Sequence, residues 1–149
     1  MALRNSREKH YKNVLSYRNA QILTILLALG MIITVIPVSL MIIKMDFSGF
    51  LTSSFEKMVL IGFVNLVLKG LIDVQRTLLI QTDHESSQYQ SQIGAFILQI
   101  IMNFILIYQM RLGLLGALFS VTLTNLVLFI VNEHIITSNF KAVLSGSEE

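Results

Sequence analysis

The sequence predicts an all-α membrane protein, with four transmembrane helices in an antiparallel bundle and both the N-terminus and the C-terminus cytoplasmic. Three observations predict it. Of 149 residues, 54% are hydrophobic and 13% charged, whereas in a soluble domain about a quarter carry charge. The apolar residues gather in four runs, near 22–43, 58–80, 93–109 and 112–132. At about 1.5 Å rise per residue, runs of this length suit a hydrocarbon core of about 30 Å. Basic residues crowd the N-terminal end. The absence of cysteine excludes disulfides and thiolate metal sites.

Residues 1–21 form a polar, basic head. Arg4, Arg7, Lys9, Lys12 and Arg18 all precede the first span, and the positive-inside rule sets this end in the cytoplasm. Tyr11, Val14, Leu15 and Arg18 recur at helical spacing, so the head reads as a surface helix or as a solvated lead-in. The apolar run that follows exceeds a signal-peptide core and lacks a small-x-small cleavage site, which predicts a retained first span. Ile22–Ile43 carries no charge. Pro37 within it withdraws a backbone donor and predicts a bend whose freed carbonyl neighbours must resatisfy.

Lys44–Lys57, with Asp46, Gly49, Ser53, Ser54 and Glu56 among three phenylalanines, reads as a short outer connection. Met58–Gln81 is the one run with charges inside it. Lys69 and Asp73 are four apart, share a helical face and predict an intramembrane ion pair. Charges at membrane depth invite functional readings, a gate contact or an ion or proton site. The structural reading is a pair near the interface, with the long side chains snorkelling toward headgroups. Thr82–Ser91 reads as a polar cytoplasmic turn. Its adjacent Asp83, His84 and Glu85 lack the spacing of a preformed site, so no metal is expected there.

Gln92–Ile135 reads as a helical hairpin joined at Gln109-Met110-Arg111. Gln92, Gln99 and Asn103, spaced by seven and four, put three amides on one face. Such a face turns from lipid toward another helix or a water-filled cavity. In the last run Gly116, Ser120 and Thr124 form a stripe at intervals of four, which predicts close helix packing. Thr122 and Asn125 add a neighbouring polar face that completes a cavity with Asn103. Glu133 and His134 end the span at the interface. The domain division is therefore a basic segment at 1–21, a four-helix transmembrane domain at 22–135 and a polar tail at 136–149.

The ordered features Arg76-Thr77-Leu78-Leu79-Ile80-Gln81, then Asn103-Phe104, then Leu112-Gly113-x-x-Gly116-Ala117 with Ser, Thr and Asn following, resemble the first lobe of multidrug and toxic compound extrusion (MATE) transporters. The resemblance covers about Tyr11 to Ile135 and implies helices three to six of that lobe. It implies that Gln99, Asn103, Thr122 and Asn125 line a cavity for organic cations exchanged against H+ or Na+. Some members carry a carboxylate one turn after the Asn; Ile107 stands there in this chain. Family members use two six-helix lobes that rock about a central site, so four helices are expected not to transport alone and to need the remaining helices or a partner membrane chain.

No phosphate-cradling loop, HExxH or Gly-x-Ser-x-Gly element occurs, and His10, His84 and His134 fall at or outside the membrane surface. Neither an enzyme nor a cofactor is expected. The basic head is explained by topology, so no nucleic acid is expected either. The lipid bilayer is the partner the composition requires. The alternative function is a non-catalytic four-span accessory or scaffold subunit packed through the Gly116 stripe. A small dimeric exporter would need a carboxylate in the first span, and Ile22–Ile43 has none.

Overall fold

The computed structural model describes residues 2–44 and 53–145, and these are helical apart from the turns at 82–84 and 110–112, with no strand among them. They form α1 (Ala2–Lys44), α2 (Ser53–Gln81), α3 (Glu85–Asn103), a π-helical segment (Phe104–Gln109) and α4 (Gly113–Ser145). Four stretches are long and apolar enough to cross a membrane: Tyr11–Val38, Lys57–Gln81, Glu85–Gln109 and Gly113–Asn139. Most of the outer connection expected at 44–57 lies outside the described residues.

The helices run further than the hydropathic spans. The basic head belongs to α1 from Ala2 onward, and α4 continues through residues 136–145 of the expected tail. The cause is a small core at the ends of the apolar runs. Tyr17 of α1, Leu78 and Leu79 of α2 and Ile136 of α4 are buried together, with Val14, Val74 and Ile135 against them. Head and tail helices cover one another there, so each has a surface to bury.

Elsewhere the molecule is turned inside out. Ile22, Leu26, Ile33, Ile93, Phe96 and Ile130 are exposed, while Gln75, Thr82, Gln88, Ser120, Thr124 and Asn132 are buried. In lipid an apolar side chain gains nothing by turning inward; helices associate instead through close packing and hydrogen bonds between small and polar residues. α4 touches every other helix, with its largest contact on α2. α1 rests mainly on α2, reaches α4 only slightly, and among the described residues does not touch α3.

The burial pattern of α4 has a simple period. Gly116, Ser120, Thr124, Leu128, Asn132 and Ile136, every fourth residue, are all buried. Four residues of a helix with 3.6 per turn advance about 40° beyond a full turn, so the stripe winds around the helix. It starts against α3 and the π segment, where the Ser120 hydroxyl donates to the Gln99 carbonyl at 3.3 Å. It ends against α1 and α2, where Ile136 joins the small core.

The π segment shapes the entry to α4. Met110 N–H bonds the Ile105 carbonyl at 3.0 Å and Leu112 N–H bonds the Leu106 carbonyl at 3.1 Å, wider loops than an α-helix makes. Arg111 (φ 53°) and Gly113 (φ 57°) take left-handed conformations to reverse the chain. Gly116 then passes so near this turn that a Cβ there would lie 3.0 Å from the Leu106 carbonyl oxygen.

Candidate functional site

Helices α2, α3 and α4 wall one polar groove of about 360 Å³. α2 presents Lys69, Ile72, Asp73 and Arg76, and α3 presents Gln92, Ala95, Phe96 and Gln99. Both sets follow the spacing i, i+3, i+4, i+7, one face of a helix. α4 supplies Thr124, Asn125 and Leu128 as the third wall. Lys69, Asp73, Arg76, Gln92 and Phe96 are exposed, whereas Ile72, Thr124 and Leu128 are buried as its floor. The groove therefore sets charges and amides beside an aromatic ring, an arrangement suited to an amphipathic ligand.

The expected pair of Lys69 and Asp73 is not closed. Both line the groove, yet among the described residues the one ion pair within 4.0 Å is Glu8–Lys12, at 3.6 Å on α1. The two side chains stand exposed on the rim, where each is free to extend away from the other.

Of the four cavity candidates, Gln99 and Asn125 meet in this groove and Asn103 and Thr122 do not line it. Asn103 shares the face of Gln92 and Gln99 but lies about 6 Å further along the helix, past the groove's end. Its Oδ1 is buried without a hydrogen-bond partner. Thr122 precedes Thr124 by two residues, about 200° around α4, and its hydroxyl donates to the Leu118 carbonyl of its own helix at 2.8 Å. Asn125 lines the groove and also reaches α2, where its Nδ2 donates to Asn65 Oδ1 at 2.5 Å. The stripe Gly116, Ser120 and Thr124 is buried throughout, against α3 and the π segment at its first two members.

A second polar cluster joins α1, α2 and α4. The Tyr17 hydroxyl donates to Glu133 Oε2 at 2.7 Å, and Gln75 Nε2 donates to the same oxygen at 3.0 Å and to the Phe129 carbonyl at 3.2 Å. Gln21 Nε2 donates to the Tyr17 oxygen at 2.6 Å and reaches Glu133 Oε2 at 3.5 Å. One carboxylate oxygen thus gathers donors from two other helices. Arg18 and Lys141 line the recess beside Glu133 without coming within ion-pair distance. Tyr17, Gln21, Gln75 and Glu133 do not stand out in the sequence as a group. The one signal is that Gln75 falls among Ile72, Leu79 and Thr82 on a single face, all buried.

The chain matches no family model, no curated protein and no solved structure.

Proposed function

We propose that the chain is a partial lobe of a MATE-type secondary antiporter, a membrane-embedded half-site whose groove forms one wall of a cavity for organic cations. The observation that carries this reading is the groove itself, which brings Gln99 and Asn125 beside the Asp73 carboxylate and the Phe96 ring. A carboxylate and an aromatic face are the groups that hold a bulky cation, by charge and by the ring quadrupole. The cation would exchange against H+ or Na+ once further helices close the opposite wall, since alternating access needs two bundles moving against each other.

Contact register supports an up-down order for the helices. Tyr17 meets Gln75 and Leu78 while Thr24 approaches Gly70, so partner numbers fall along α2 as they rise along α1. Gln99 meets Ser120 and Leu106 meets Gly116, again in opposite senses, whereas Asn65 meets Asn125 and Gln75 meets Glu133 in the same sense. A cytoplasmic N-terminus is supported by the five basic residues of the head, against Lys44, Lys57 and Arg111 on the outer side.

A non-transporting scaffold is the second reading, favoured by the Asn65–Asn125 bond and by Thr122 bonding within its own helix. Equilibrium binding of tetraphenylphosphonium to the full chain in lipid vesicles separates the two. The transport reading predicts saturable binding above that of empty vesicles, weakened about tenfold by Asp73→Asn, the worth of about 1.4 kcal/mol. Uptake no greater than that of empty vesicles, or untouched by Asp73→Asn, favours the scaffold.

A further inference from the structure

The charges of the groove do not balance. Lys69, Asp73 and Arg76 lie at i, i+4 and i+7 of α2 and all line it, two cations against one carboxylate. Among the described residues neither cation has a carboxylate within 4.0 Å. All three lie within Lys57–Gln81, a stretch long and apolar enough to cross a membrane. Uncompensated charge at such depth is costly and calls for water or a counter-ion.

The geometry points to an anionic phospholipid as the occupant, with its phosphate held between Lys69 and Arg76 and its acyl chains leaving over the exposed Phe96 side. Seven residues set the two basic positions about 10 Å apart along the axis, so flexible side chains converge on a phosphate from either end. A single phosphodiester charge neutralises the excess cation. Gln92 and Gln99 add amide donors on the facing wall, and the ring of Phe96 offers apolar surface beside them. A basic recess between transmembrane helices is the known chemistry for holding acidic headgroups. The inference rests on the groove as a ligand site and not on transport; a bound lipid leaves Asp73 facing a neutral groove, where an organic cation is no longer repelled.

The chain contains no Trp, so Phe96→Trp places a unique fluorophore in the groove. Its quenching is read in vesicles of phosphatidylcholine containing brominated phosphatidylglycerol or, separately, brominated phosphatidylcholine. A second reporter, Ile33→Trp on the exposed face of α1, serves as a lipid-facing control. Preferential quenching of the groove reporter by phosphatidylglycerol is expected, with no preference at position 33. Lys69→Gln and Arg76→Gln should each reduce the preference about fivefold, the equivalent of about 1 kcal/mol per basic residue. Circular dichroism confirms that each variant stays helical. Equal quenching by the two lipids, or a preference insensitive to both substitutions, overturns the inference. Displacement by soluble inorganic phosphate also overturns it, by assigning the site to a free anion. Because no cation is added, loss of the lipid preference is read apart from loss of tetraphenylphosphonium binding.

Discussion

Glu133 ends the last apolar run in the sequence, and hydropathy alone assigns it to the membrane surface. The structure adds a task to that place, because α4 continues past it and Tyr17, Gln75 and Gln21 turn their donors toward it. No periodicity within one helix shows that residues 116 positions apart will share a hydrogen bond. The test is thermal unfolding of the chain in mild detergent. Tyr17→Phe removes one donor and should cost about 1 kcal/mol, the scale of an interhelical bond in membrane proteins. Glu133→Ala leaves the Tyr17 hydroxyl without its acceptor and takes one bond each from Gln75 and Gln21, which keep the Phe129 carbonyl and the Tyr17 oxygen, and should cost more, about 2–3 kcal/mol. Unchanged melting in both variants would mean that this junction does not hold α1 to the others.

At the scale of elements, the small-residue stripe was the most legible part of the chain. Gly116, Ser120 and Thr124 declare themselves by spacing alone, and all three are buried. The π segment was not legible, since Phe104–Gln109 is apolar and reads like any helical turn; the wider loop arises from how the chain must reverse at Arg111 and Gly113. Asn103, just before that segment, does not line the groove that Gln99 lines. It lies on the expected face, yet a face says nothing about how far along the axis a groove extends. A pair of substitutions checks the packing. Gly116→Ala drives a Cβ to 3.0 Å from a backbone oxygen that cannot swing aside and should destabilise by about 1–3 kcal/mol. Gly94→Ala meets nothing within 4 Å and should stabilise by about 0.5–1 kcal/mol through helix propensity. The two melting shifts should have opposite signs.

For the whole molecule, fold class was readable because it follows from composition and run length, which a bilayer constrains more tightly than any single contact. Four helices long and apolar enough to span a membrane are what the sequence leads one to expect. The groove was half readable: Gln99 and Asn125 share it as helical spacing suggests, whereas Lys69, Asp73 and Arg76 entered it only once α2 had a place beside α3 and α4. The central claim is that this groove is a wetted ligand wall and not a dry seam between helices. The absence of native cysteine allows a direct test by single-cysteine labelling in vesicles. A thiol reacts as the thiolate, which forms readily only where water reaches it. Gln99→Cys and Asn125→Cys should label with a charged, water-soluble maleimide at rates well above those of Val64→Cys and Ile33→Cys on exposed apolar faces, and tetraphenylphosphonium should slow them. Labelling at Gln99 and Asn125 no faster than at Val64 and Ile33 would contradict the claim.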